Sequence, residues 1–128
     1  MIADLTTEKI LATNFCNGSE HDFQLFKNSR CTFSQATCLL ADAGYQGLLG
    51  LHPNSQTPVK KSKLHPLSQA QKSSNRALSR KRILIENIIR RLKIFRILSE
   101  RYRNRRKRFG LRFNLIAAIC NMELKTDP

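Results

Sequence analysis

Long apolar runs are absent from this 128-residue sequence. No stretch reaches the roughly 18 consecutive apolar residues that a transmembrane helix needs, which excludes one. The opening residues, Met1-Ile2-Ala3-Asp4, place no basic stretch ahead of an apolar core, so no secretory signal is expected. Cysteine is sparse. Cys16, Cys31, Cys38 and Cys120 form no C-x-x-C pair, and no His pair stands nearby at metal spacing. This argues against a zinc site or disulfide framework and for a reduced, cytoplasmic compartment. Acidic residues are scarce too, nine against 23 Lys and Arg. What is present is a 41% hydrophobic complement. That suffices for a packed core in one domain, or in a piece of a larger one.

The net charge of +14 is unevenly placed. Residues 1–58 carry a net −2, residues 59–112 a net +17, and residues 113–128 a net −1. The basic part includes Lys60, Lys61 and Lys63, and it culminates in Arg101, Arg103, Arg105, Arg106, Lys107 and Arg108, six cations in eight residues with Tyr102 available to stack. Like charges repel one another, so this density points to a polyanion, and nucleic acid comes first. A basic surface that only binds water is the bland alternative.

Residues 1–5 and 8–15 are short apolar segments around a polar Thr6-Thr7 turn, with Ile10, Ala12 and Asn14 alternating with Leu11, Thr13 and Phe15, which predicts a β-hairpin. Asn17-Gly18 is a turn signal, and Ser19 three residues before Asp22 reads as a capping box for a short helix over 20–28. The apolar run 36–41, closed by Asp42-Ala43-Gly44, predicts a buried strand with Asp42 at its carboxyl end, where open α/β sheets place ligand-handling groups. Residues 50–75 hold three of the four prolines and read as loop, with one short strand near 57–61. From about Ser74 the pattern is helical, with Leu78, Ile85, Ile88, Ile89, Leu92 and Phe95 on one face and Glu86 at its border. After the basic connector, Phe109, Phe113, Ile116, Ala117 and Cys120 mark a last amphipathic helix.

By spacing alone Asp42 is a turn residue and Glu86 an ion-pair partner of Arg82 or Arg90 more often than either is a catalyst. The segment Leu40-Ala41-Asp42-Ala43-Gly44-Tyr45-Gln46-Gly47-Leu48, however, resembles the D-x-G-Y-x-G stretch of DDE-superfamily insertion-sequence transposases of the insertion-sequence-five type, related to Harbinger elements. Asn17-Gly18 with His21-Asp22 resembles the stretch before it. Asn75-Arg76-Ala77-Leu78, then Arg82 through Glu86-Asn87, Arg91-Leu92-Lys93 and Phe95-Arg96 resemble the family's R-x-x-x-E helix and the G-R-L-K that follows. Tyr102-Arg103-Asn104-Arg105-Arg106 and Asn114-Leu115-Ile116 extend the similarity over nearly the whole chain. Arg90 stands where family members usually carry Gly.

The resemblance implies an α/β, ribonuclease-H-like fold, with residues 1–98 a partial catalytic domain and 99–128 the basic connector and C-terminal helix. It implies metal-dependent phosphodiester cleavage and strand transfer in DNA transposition, at three acids. Asp42 and Glu86 match the second and third, as catalytic residues and ligands of Mg²⁺ or Mn²⁺. Two such hard cations about 3.5–4 Å apart are held by carboxylate oxygens. No residue here matches the first Asp, which lies on the central first strand; Asp4 and Asp22 are substitutes off the family position. The expectation is therefore a C-terminal part of a transposase with an incomplete metal site, inactive alone. DNA is its partner, in a nucleoid-associated setting. Strand edges would be left exposed for self-association or for pairing with the missing N-terminal part. The alternatives are a non-enzymatic basic nucleic-acid-binding protein and, from size and charge alone, a ribosomal-type protein.

Overall fold

The structure is a computed structural model, and it describes residues 1–16, 18–101, 103 and 106–124. The expected turn at Asn17 therefore lies partly outside the described residues, as do Tyr102, Asn104 and Arg105. The architecture is mixed α/β, with two two-stranded sheets followed by C-terminal helices. The chain divides into two compact units, Met1–Phe15 with Lys81–Pro128, and Cys16–Arg80.

The first unit contains the expected hairpin, β1 (Ile2–Ala3) antiparallel to β2 (Ile10–Ala12). Its turn is built by Asp4. Asp4 Oδ1 accepts the Thr6 N–H at 2.9 Å and Oδ2 accepts the Thr7 hydroxyl at 2.7 Å. Those bonds, the Thr7 hydroxyl first, hold the Asp4 carboxyl below its ordinary value. Glu8 closes the turn in the left-handed region, and its carboxylate meets Arg91 at 3.0 Å.

Helix α5 (Phe109–Glu123) is the last helix read from the sequence, and Ile116, Ala117 and Cys120 are its buried residues as expected. These pack with Ile10, Ile88 and Leu92, flanked by Ala3, Ile85, Phe95, Ile97, Leu98 and Phe113. Phe15 meets Phe109 edge to face at 4.9 Å, beside Gly110, where an added Cβ would come within 3.0 Å of the Phe15 ring. A short helix, α4 (Arg96–Ser99), has no counterpart in the sequence reading.

Asn121 joins α5 to the hairpin. Its Oδ1 accepts the Ile10 N–H and its Nδ2 donates to the Ile10 carbonyl, both at 2.8 Å. A side-chain amide thus fills the place of a strand neighbour, and the edge that was expected to be open for association is covered at Ile10.

In the second unit α1 (Asp22–Asn28) is the expected short helix, but the capping box is not formed. The helix starts at Asp22 itself, so His21 is the N-cap and no side-chain cap bond is made. The capping box stands elsewhere, before α3 (Gln69–Lys93). Ser68 Oγ accepts the Gln71 N–H at 3.2 Å while Gln71 Oε1 accepts the Ser68 N–H at 2.9 Å. This reciprocal pair starts the long helix five residues before the apolar periodicity suggests.

The run 36–41 is not a buried strand. Only Leu39–Leu40 forms β3, half-buried, while Ala36 to Cys38 are exposed. Its neighbour is β4 (Ser55–Gln56), parallel to it, and a two-stranded ribbon has too little area to bury a strand on both faces. β4 ends before the expected 57–61 span because Pro58 has no N–H for a ladder. Between them lies α2 (Leu48–Leu51), whose Leu48 is buried. The unit is held by a chain of rings, Phe23–Tyr45, Tyr45–Phe26, Phe26–Phe33 and Phe33–His52, with centroids 5.8–6.3 Å apart. His52 is buried, and its Nε2 donates to the Thr37 carbonyl at 2.6 Å.

On α3, Leu78, Ile88 and Leu92 are buried as expected, and Ile85 partly so. Ile89 is not, at 37% exposed, because the buried face is centred between Ile88 and Leu92 and Ile89 lies at its edge. Glu86 is exposed rather than at the border of the buried face. Among the described residues no helix is long and apolar enough to cross a membrane.

Candidate functional site

Asp42 follows β3 at the carboxyl end of the parallel β3–β4 pair, as the sequence reading placed it, but exposed. Two bonds shape the turn after it. Asp42 Oδ1 accepts the Gly44 N–H at 2.7 Å, and the Asp42 carbonyl accepts the Tyr45 N–H at 3.1 Å. The carboxylate is thereby held against its own backbone. Tyr45 inserts its ring between Phe23 and Phe26, and Gly47 turns the chain into α2 at φ +96°. The D-x-G-Y-x-G residues thus make a structured turn whose aspartate faces solvent.

The Tyr45 hydroxyl is pushed up from its ordinary value, first by burial and then by the carboxylates of Asp22 and Asp42. Asp22, the first residue of α1, therefore stands in the field around the same hydroxyl as Asp42. Asp4 is different, because its two oxygens are engaged in the hairpin turn of the other unit.

Gly47→Ala tests the turn. A side chain at this left-handed φ costs about 1–2 kcal/mol, whereas Phe23 Cε1, 3.6 Å from the added Cβ, is at ordinary contact. Thermal unfolding followed through tyrosine fluorescence should shift down for Gly47→Ala. It should stay in place or rise for Gly50→Ala, where an added Cβ meets nothing within 4 Å in a helical position. Equal midpoints would refute the strained turn.

Glu86 lies in the part of α3 that belongs to the other unit, Met1–Phe15 with Lys81–Pro128. It is exposed, and it forms no ion pair with Arg82 or Arg90; the ion pairs among the described residues include Arg91–Glu8 and Arg96–Glu100. Among the described residues no three His, Cys, Asp or Glu side chains come together in a group able to hold a metal. Asp42 and Glu86 supply two carboxylates, and a hard-cation centre needs more donors than these two. The described residues therefore do not by themselves fit the implied metal centre.

Lys60, Lys61, Lys63, Arg101, Arg103, Arg106, Lys107 and Arg108 are all exposed, with the last three in a short 3₁₀ turn before α5. Arg105 lies outside the described residues. The sequence reading missed the side chains that shape the segment after β4. Gln46 Nε2 donates to the carbonyls of Ala43 (3.2 Å) and Pro58 (3.1 Å), and the Asn75 amide pairs with both polar backbone groups of Val59. No local signal marks these bonds, which join residues up to 16 apart.

Residues 2–121 match the profile of the DDE superfamily endonucleases. The chain is 52% identical over 118 residues to a protein of Microchaete diplosiphon described as "Probable transposase for insertion sequence element IS702". That alignment covers 92% of this chain and 43% of the relative, so the chain spans less than half of the relative's length. No solved structure matches. With a family match over nearly all its residues, the chain belongs to the DDE superfamily endonucleases.

Proposed function

We propose that this chain contributes Asp42 and Glu86 to the DNA-cutting centre of a DDE transposase, which cleaves phosphodiesters and transfers strands in a protein of the relative's full length. The observation that carries this reading is the Asp42 turn. It sets an exposed carboxylate, braced by the Gly44 N–H, at the carboxyl end of a parallel strand pair. Such ends are where α/β sheets present their reacting groups.

In this reading residues 1–98 belong to a ribonuclease-H-like catalytic domain, and residues 99–128 form the basic connector and terminal helix. DDE superfamily endonucleases use divalent metals. Mg²⁺ or Mn²⁺ belongs to the complete set of acids, in which a further carboxylate joins Asp42 and Glu86. The chain's own part is to orient: the turn fixes Asp42, a rigid helix carries Glu86, and the exposed cations hold phosphates.

A chimera tests this, with the present chain replacing its aligned region in the 52%-identical relative. With Mg²⁺ or Mn²⁺ it should nick element-end DNA, and Asp42→Ala and Glu86→Ala should each lower that rate at least ~100-fold without changing duplex binding. The present chain alone should not cleave. An Asp42→Ala chimera that cleaves at the parent rate would sink the assignment.

A second reading, a non-enzymatic basic nucleic-acid-binding protein, is favoured by the absence of a three-donor group among the described residues and by the +14 net charge. It expects DNA binding by the chain and no cleavage by the chimera.

A further inference from the structure

Residues 57–80 carry six cations (Lys60, Lys61, Lys63, Lys72, Arg76 and Arg80) and no acidic side chain. All six are exposed. Lys72, Arg76 and Arg80 recur every fourth residue on α3, so they share one helix face. Like charges at that spacing destabilise a helix. An accumulation with no compensating carboxylate suits a surface that meets an anion.

The backbone leading into Lys60 and Lys61 is held with unusual care. Three successive polar groups are taken by side chains: the Pro58 carbonyl by Gln46, and the Val59 N–H (2.9 Å) and carbonyl (3.0 Å) by Asn75. Exposed loops ordinarily leave such groups to water. Burial of Val59 does not explain the clamp, since it is 44% exposed. Gln46 belongs to the turn begun by Asp42, and Asn75 lies between Lys72 and Arg76 on α3. The clamp therefore ties the start of the lysine segment to the Asp42 turn on one side and, on the other, to α3 at a position next to Arg76 in the chain.

We propose that Lys60 and Lys61, together with the Lys72–Arg76–Arg80 face, form a phosphate-binding track that leads the DNA backbone to the Asp42 turn. Asn75 and Gln46 are positioning residues that act through the two lysines. The proposal rests on the reading that DNA is the substrate. It can fail separately from the catalytic assignment, because binding is measured without divalent metal and without the chimera.

The experiment is a salt titration of a fluorescent duplex of about 30 base pairs with the purified chain, in which each phosphate neutralised contributes about −0.9 to the log–log slope. Replacing Lys60 and Lys61 together with Ala should reduce the slope by about 2 and weaken binding to unrelated sequences alike. These exposed side chains can be removed without disturbing the fold, which circular dichroism verifies. Asn75→Ala removes no charge, yet should weaken binding about 3- to 10-fold in the parent chain by freeing the segment. In the Lys60→Ala/Lys61→Ala background it should change affinity less than about 2-fold, because its effect passes through the lysines. A merely structural Asn75 would weaken both backgrounds equally, and that outcome overturns its positioning role. Unchanged affinity and slope in the double lysine variant overturn the track and move the contact to the exposed cations between Arg101 and Arg108.

Discussion

Truncation of Ile88 to alanine should destabilise the unit built on the hairpin and α5 by about 2–5 kcal/mol. Ile88 is 1% exposed and packs among Ile10, Leu92, Ile116, Ala117 and Cys120. The loss combines the transfer free energy of the removed methyls with the cavity left behind. Small domains are stable by only about 5–15 kcal/mol, so one substitution removes a large part of the total. Ile89, next along the helix and 37% exposed, is the internal control. Ile89→Ala should cost under about 1 kcal/mol. Urea unfolding followed by circular dichroism measures both. Equal midpoints for the two variants would mean that α3 presents a different face to the core.

Asn121→Ala should cost about 2–4 kcal/mol, although it removes no apolar contact. The substitution leaves both the Ile10 N–H and the Ile10 carbonyl without the partner seen at 2.8 Å. A half-buried group so deprived costs about 1–3 kcal/mol. Asn121→Asp keeps the acceptor for the Ile10 N–H but sets a second carboxylate oxygen against the Ile10 carbonyl, acceptor to acceptor, so it should not rescue the loss. Hydrogen exchange at the Ile10 amide is the direct readout and should accelerate in Asn121→Ala. Uncovering the β2 edge should also make the variant associate with rising concentration, measurable by sedimentation velocity. An Ile10 amide that exchanges at the parent rate would show that Asn121 does not protect it.

Glu8, Arg91 and Asp4 show how far a motif reading reaches. Asp4 was a candidate stand-in for the absent first acid, and the structure engages both of its oxygens in the hairpin turn. Arg91 belongs to a stretch that resembles a family signature, and here it pairs from α3 with Glu8 of the hairpin turn. Glu86 was weighed as an ion-pair member between Arg82 and Arg90 and pairs with neither. Sequence spacing marks which residues can meet; burial and backbone path select among them.

The residue order alone was enough for the family, the hairpin, the helix faces of Leu78, Ile88, Leu92, Ile116 and Cys120, and the place of Asp42 after a strand. Each depends on local periodicity or on a contiguous motif, and both are written within a few residues. The order was not enough for the length and burial of β3, for the start of α3, or for the clamps made by Asn75, Gln46 and Asn121. A strand's burial depends on how many neighbours its sheet gathers. The bonds of Asn75 and Asn121 join residues 16 and 111 apart. A side-chain amide that replaces a strand partner has no periodicity and no fixed spacing, so only the folded chain brings it to the backbone it serves.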